Sequence, residues 1–138
     1  MASTRSRSYK GAARADVLAI FVLVGLGAII NARWPLPLWI FALYVVASLI
    51  AFVLYHSDKK AAQTGSWRIS EGTLHLIAVV GGWPGAVVAQ QVFRHKTSKQ
   101  EFRSVFWLTI VANIVAFVVV TTPLLSLLSR LDLSVAAS

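Results

Sequence analysis

Three stretches of the chain carry almost no charge, and each is close to the length of a membrane-spanning helix. They cover residues 17–34, 35–55 and 105–128, and a fourth apolar stretch, residues 74–93, lies between the second and the third. A helix needs about 20 apolar residues to cross a bilayer, whereas a soluble core is built from shorter apolar segments with a helical or strand period. The pattern therefore predicts an all-α integral membrane protein.

The composition leaves little of the chain for a second domain. Of the 138 residues 57% are hydrophobic and 13% are charged, which is far from the balance of a soluble protein. We expect residues 1–15 to be a basic cytoplasmic tail, residues 16–128 a single membrane domain and residues 129–138 a C-terminal tail. The chain has no cysteine, which excludes disulfides, thiolate metal sites and cysteine nucleophiles.

The first stretch has two interpretations. Its strongly apolar part, residues 17–30, is short and follows a basic head, so it could be a secretory signal with a cleavage site that ends at Ala32. Because the stretches downstream are themselves suited to the membrane, we instead expect this helix to be retained as an anchor that extends to Trp34.

The second and the last stretch are predicted to span the membrane. Pro35 and Pro37 are expected in the first turn of the span 35–55, where a missing N–H group costs little. Pro123 is expected to kink the span 105–128 without ending it.

The fourth stretch, residues 74–93, is interrupted near its midpoint by Gly81, Gly82, Pro84 and Gly85. Proline removes a backbone donor and glycine weakens a helix, so a straight helix is disfavoured here. We predict a broken re-entrant or interfacial helical hairpin, which gives three transmembrane helices plus the hairpin. The alternative is an ordinary span with a proline kink, which gives four transmembrane helices.

The positions of the basic residues favour the hairpin. If residues 74–93 return to the side they came from, eleven Lys and Arg lie on one side of the membrane, and only Arg33 and Arg130 lie on the other. A straight crossing would divide the same residues eight to five. Because cytoplasmic loops are enriched in Lys and Arg, the hairpin predicts a cytoplasmic N-terminus and a basic cytoplasmic face.

Residues 54–107 resemble the small bacterial inner-membrane proteins of domain-of-unknown-function family 1294. The residues that carry the resemblance are, in order, Tyr55, Asp58, Lys59, Ala61, Trp67, Arg68, Ile69, Glu71, Leu74, His75, Gly81 to Gly85, Gln90, Arg94, His95, Lys96, Lys99 and Phe102. The resemblance implies a multi-pass protein of the bacterial inner membrane, without an assigned activity. Some members carry an N-terminal cold-shock domain that binds nucleic acid. Residues 1–15 lack the aromatic strand motifs of that domain, so we expect no nucleic-acid partner.

The excess of 13 Lys and Arg over 5 Asp and Glu predicts anionic partners, first of all lipid head groups. Residues that could bind phosphate flank the fourth stretch; they are Arg68, Arg94, Lys96 and Lys99. Arginine can bond a phosphate with two N–H groups, and both residue types are attracted by an anionic leaflet. The alternative is that these cations only fix the orientation of the chain.

Glu71 and His75 are the strongest local pair of titratable residues. They are four residues apart, on one face of a helix that Ser70 could cap. With His95 they are weak candidates for acid–base catalysis. A structural role is the stronger interpretation, because a glutamate at a helix N-terminus is favourable by itself and could also pair with Arg68.

Five further residues in and beside the fourth stretch are expected to have structural roles. Asp58, Gly81, Gly82, Pro84 and Gly85 are expected to shape the hairpin. The spacing of the histidines at positions 56, 75 and 95 fits no compact set of metal ligands, so we expect no metal and no cofactor.

Asn113 and Thr109, with Ala112 and Ala116, are expected on a face of the last span that packs against protein. The small-residue pair of Ala47 and Ala51 leaves a homo-oligomer open.

We favour a membrane-anchored binding or accessory protein whose basic face engages anionic lipid or a polyanionic partner. The alternatives are a membrane-embedded enzyme that acts on a lipid head group, with Arg68 and Arg94 as phosphate clamps, and a small channel or carrier subunit.

Overall fold

The computed structural model describes residues 2–94, 100–124 and 126–128, with side chains from residue 14 onward. This part of the chain forms five α-helices and no strand, which confirms the all-α prediction. The helices are α1 (Ala2–Arg33), α2 (Leu38–Thr64), α3 (Glu71–Ile77), α4 (Trp83–Phe93) and α5 (Gln100–Thr121), and a π-helical turn (Ala78–Gly82) joins α3 to α4.

Four helical segments are long and apolar enough to cross a membrane. Within the described residues they are Arg14–Arg33, Leu38–Thr64, Glu71–Phe93 and Gln100–Thr121. Their outward faces carry large apolar side chains, including Phe21, Leu38, Leu49, Leu108 and Val120. Contiguous apolar surface of this kind is unsuited to water and suited to lipid. The chain thus has the features of a multi-pass membrane protein.

The third of these segments folds back on itself. At its start, the backbone N–H of Ile69 donates to Asp58 Oδ1 at 3.1 Å. At its end, Lys59 Nζ donates to the carbonyl oxygen of Phe93 at 2.6 Å. A straight helix of 23 residues would hold its ends about 35 Å apart, yet here both ends contact adjacent residues of α2. Although Glu71–Phe93 is long enough to span a membrane, its two arms fold back on each other as a helical hairpin.

Each arm of the hairpin is shorter than a membrane-spanning helix. The arm α4 has 11 residues, which is about 16 Å of helix against a hydrocarbon core of about 30 Å. The tip lies beside Tyr44 and Ala47 of α2, close to Gly81 and Gly82. We call the end of the bundle at Asp58 the hairpin end and the other end the opposite end.

The other two helices run antiparallel to α2. Arg103 and Trp107 of α5 bond to Asp16 of α1 at the hairpin end, and Phe117 lies near Gly27 toward the opposite end. The main core lies in the hairpin half; its largest buried side chains include Trp83, Tyr55, Phe102, Phe106, Leu74 and Ile110. The opposite half holds a smaller cluster of Ile30, Ile40 and Phe117. The core is larger in the hairpin half because two more helical arms pack there.

The two expectations about proline had different outcomes. α2 begins only at Leu38, with Pro37 as its extended N-cap residue, so the expectation that Pro35 and Pro37 lie in the first turn was wrong. The ring of Pro37 disfavours helical backbone at the residue before it, which delays the start of the helix. α5 is continuous to Thr121, and helical backbone resumes at residue 124 and over 126–128, where Leu127 N–H donates to the carbonyl oxygen of Pro123 at 3.0 Å. Because proline lacks an N–H group and clashes with the preceding turn, it interrupts the helix without ending it, as predicted.

Candidate functional site at the hairpin base

Asp58 ties the start of the hairpin to α2. Its carboxylate is fully buried and accepts the N–H of Ile69 at 3.1 Å and Nη2 of Arg68 at 3.4 Å. A buried carboxylate is stable only when it is paired and hydrogen-bonded. Asp58 therefore fixes where the first arm begins, and it holds the half-exposed guanidinium of Arg68 at the surface.

Lys59 holds the other arm. Its ammonium group donates to the carbonyl oxygen of Phe93 at 2.6 Å and lies 5.7 Å from the centre of the Phe93 ring. A cation at the C-terminus of a helix satisfies carbonyls that have no partner within the helix. Arg94 follows in the left-handed conformation, with φ of 48°, and ends α4.

The two acid–base candidates in the described residues lie one turn apart on α3. The Ser70 side chain accepts the N–H of Thr73 at 3.2 Å, which is the cap that the sequence predicts. Glu71 lies in the first turn of α3. His75 is half-buried, and its ring stacks on Phe102 of α5 with centroids 4.5 Å apart. The third candidate, His95, lies outside the described residues.

A buried amide and a phenol lie between α2 and α4. Gln90 Nε2 donates to the Tyr55 hydroxyl at 3.1 Å, and both residues are fully buried. Tyr55 also packs edge-on against Phe102. Within the described part of the chain Gln90 Oε1 is buried without a hydrogen-bond partner. This pair is a buried polar contact between α2 and α4 in the hairpin half of the bundle.

Exposed cations lie at the hairpin end of the bundle. Arg14, Lys60 and Arg94 are exposed at the hairpin end, together with Arg68. Among the cations whose side chains are described, Arg33 alone lies at the opposite end. Of the four predicted phosphate-binding residues, the structure brings Arg68 and Arg94 to one end, and Lys96 and Lys99 lie outside the described residues.

The glycines at the tip allow α4 to approach α2 closely. Gly81 has φ of +125°, which side chains of L-residues rarely adopt. A Cβ atom on Gly82 would lie 2.6 Å from the carbonyl oxygen of Ala47, and one on Gly85 would lie 2.0 Å from that of Ser48. Ala47 therefore packs against the hairpin of its own chain. Pro84 occupies the first turn of α4, where a missing donor costs little.

Asn113 bonds to three groups around the tip. Its Oδ1 accepts from the Tyr44 hydroxyl at 2.6 Å and from Trp83 Nε1 at 2.9 Å. Its Nδ2 donates to the carbonyl oxygen of Val79 at 2.7 Å. Broken helical backbone at membrane depth needs such cover from protein. Asn113 thus packs against protein, as expected.

The face of α5 around Asn113 differs from the one expected. Thr109 is buried as expected, but Ala112 and Ala116 are exposed. Large side chains occupy the packing face instead, among them Phe106 and Ile110. The spacing of small residues was misleading here because Asn113 contacts the hairpin tip, which lies between α2 and α5.

One ion pair was missed from the sequence. Asp16 is fully buried and accepts from Arg103 at 3.1 and 3.2 Å and from Trp107 Nε1 at 3.1 Å. An acidic residue directly before the first apolar stretch was the available signal, because a charge at that depth needs a partner. It joins α1 to α5 near the basic surface.

Within the described residues no three His, Asp or Glu side chains are grouped so that they could hold a metal ion.

Comparisons with known proteins find similarity over part of the chain. The family model described as "Protein of unknown function (DUF1294)" matches residues 48–102. The chain is 44% identical over 62 residues to the "Uncharacterized protein YsdA" of Bacillus subtilis (strain 168), which covers 45% of this chain and 70% of the relative. No solved structure matches. The residues that the family model matches contain most of α2 and the whole hairpin.

Proposed function

The chain belongs to the DUF1294 family of proteins of unknown function, and from that premise we propose that it is a membrane-anchored binding protein for anionic lipid head groups. The binding surface is the hairpin end, whose exposed cations are Arg14, Lys60, Arg68 and Arg94. By the positive-inside rule this end faces the cytoplasm of a bacterial inner membrane.

The observation that carries the proposal is that the two arms of the hairpin begin and end at the same end of the bundle, beside Asp58 and Lys59. Arg68 precedes the first arm and Arg94 follows the second, so the fold gathers both flanks at one end. A straight helix would have placed them on opposite faces of the membrane. Concentrated in this way, the cations add their attractions for one anionic leaflet, about 1 kcal/mol for each residue near the surface.

Two of the acidic residues at this end do not compete with a lipid phosphate. Asp16 is buried and paired with Arg103, and Asp58 is buried and bonded to Ile69 and Arg68. Because these carboxylates are satisfied inside the bundle, their charge is not presented to solvent. The exposed cations that these two carboxylates do not contact, Arg14, Lys60 and Arg94, can therefore bind anionic head groups.

The loop between α2 and α3 offers a contact suited to the interface. Trp67, next to Arg68, is 96% exposed. Tryptophan is enriched at the level of lipid head groups because its ring is amphipathic. An indole beside an arginine would hold this loop at the membrane surface.

The test is lipid retention by the full-length protein in native mass spectrometry. Purified protein is incubated with phosphatidylglycerol and phosphatidylethanolamine in a mild detergent. We expect preferential retention of phosphatidylglycerol, reduced about fivefold by Lys60→Gln or by Arg94→Gln, since about 1 kcal/mol is lost per cation. Arg33→Gln, at the opposite end, is the matched control and should retain lipid as the wild type does. Equal losses in all three variants, or no preference for the anionic lipid, would contradict the proposal.

A second candidate, an enzyme acting on a lipid head group, is favoured by one observation. Glu71 and His75 lie one turn apart on α3, which begins three residues after Arg68. Acid–base catalysis requires one titrating group, whereas lipid binding sums many charges. His75→Gln should therefore leave lipid retention unchanged under either hypothesis. If it also abolished complementation of a gene deletion that Lys60→Gln rescues, the enzyme would replace the binding protein as the better hypothesis.

A further inference from the structure

The hairpin tip lies partway along the bundle. Within the described residues, the half of the bundle beyond the tip therefore consists of three helices, α1, α2 and α5. The tip ends beside Tyr44 and Asn113, so nothing from the hairpin fills the space beyond them. A cavity of about 390 Å³ remains there, between α1 and α2.

The cavity is apolar and has room because α1 presents small residues to it. Its walls include Leu23, Val24, Gly27, Ile40 and Phe41. A Cβ atom on Gly27 would meet only Phe117 Cζ, at 3.9 Å, so the space beside this residue is open. The wall has one amide, Asn31 at the rim, whose Oδ1 already accepts the N–H of Leu36 at 2.9 Å.

The cavity opens sideways, toward the surroundings of the helices. Val24 and Phe41 belong to its wall and are 63% and 45% exposed. Both lie in segments apolar enough to span the membrane, so what surrounds them at this depth is lipid hydrocarbon. Apolar cavities stay dry: one of roughly 150 Å³ lined by Leu, Ile and Phe excludes water and binds benzene.

We propose that this cavity binds one acyl chain of a phospholipid from the leaflet opposite to the hairpin end. Asn31 lies two residues before the end of α1 at Arg33, and Leu23 lies about 12 Å deeper along the helix. That depth matches one leaflet, which is half of the hydrocarbon core of about 30 Å. The ester end of the chain lies near Asn31 and its methyl end near Leu23 and Tyr44. Binding rests on packing, because lipid and protein are equally apolar here.

The proposal is tested by photocrosslinking in bilayers. Full-length protein is reconstituted with phosphatidylethanolamine that carries a diazirine on one acyl chain, either near the ester or near the chain end. After irradiation, adducts are mapped by mass spectrometry. We expect the ester-proximal probe to label the region of Ala28 and Asn31 and the terminal probe to label Leu23 and Tyr44. Yields there should exceed several-fold those at Val115, an exposed position on α5.

Two glycines of α1 supply a matched pair of variants. Gly27→Leu should fill the cavity and lower its adducts several-fold, whereas Gly25→Leu points into open space and should leave them unchanged. Both changes raise helix propensity equally. Adducts no more frequent than at Val115 in the wild type, or unaffected by Gly27→Leu, would overturn the proposal. A reversed order of labelling by the two probes would also overturn it, since the chain would then enter from the hairpin side.

Discussion

At Gly85, where α4 approaches α2 closely, we expect substitution by alanine to lower the free energy of unfolding substantially. In Gly85→Ala the new Cβ atom would lie 2.0 Å from the carbonyl oxygen of Ser48, well inside van der Waals contact. Because that oxygen belongs to helical backbone, α4 itself must move away. Overpacking of this kind costs about 1–3 kcal/mol or more.

Moving α4 away from α2 would also lengthen two hydrogen bonds between these helices. They are the bond from Gly85 N–H to Ser48 Oγ at 3.2 Å and the bond from Gln90 to Tyr55 at 3.1 Å, each worth about 0.6 kcal/mol in a membrane protein. Alanine gains about 0.5–1 kcal/mol over glycine from its helix propensity. We expect a net loss of about 2–3 kcal/mol. Gly25→Ala meets nothing within 4 Å and should be neutral or slightly stabilising.

The measurement is the free energy of unfolding in mild detergent titrated with SDS. The chain has five tryptophans, so the other four are replaced by phenylalanine in both proteins, and the fluorescence of the fully buried Trp83 then reports the loss of packing around the tip. Equal stability of Gly85→Ala and Gly25→Ala would show that α4 does not contact α2 closely at Gly85.

Three further predictions follow from the contacts. Asn113→Leu should destabilise the protein by about 2 kcal/mol in the same titration, because three groups at the tip lose a hydrogen-bond partner; a change below 0.5 kcal/mol would refute its role as cover for the tip. The chain has no cysteine, so cysteines introduced at Ser66 and Gln100 can be labelled with a membrane-impermeant maleimide. Both should react from the same side, and labelling from opposite sides would refute the hairpin. Asp16→Asn should weaken the attachment of α1 and speed proteolysis at the hairpin end, because it leaves the partly buried Arg103 without a counter-ion; removing both charges, with Arg103→Gln added, should restore part of the resistance.

The sequence alone was enough to predict the class of protein and the break in the third segment, because both depend on local properties. The length of an apolar stretch determines whether it can cross a bilayer, and a cluster of glycine and proline weakens a helix wherever it occurs. The count of basic residues on each side then favoured a return of the chain over a crossing, before any contact was known. The cap at Ser70 was equally local, and it was found where predicted.

Only the tertiary structure decided which face of each helix packs inward. In a soluble protein an apolar stripe identifies that face, but here the side toward lipid is as apolar as the side toward protein, so the sequence holds no such stripe. The face of α5 was therefore misjudged at Ala112 and Ala116, and the bond between Asp16 and Arg103 was missed. The anchoring of the hairpin by Asp58 also required the fold, because it joins residues through a contact that no spacing along the chain encodes. In lipid, polar contacts and the close approach of glycines replace the apolar stripe as the source of specificity, and these depend on partners far away in sequence.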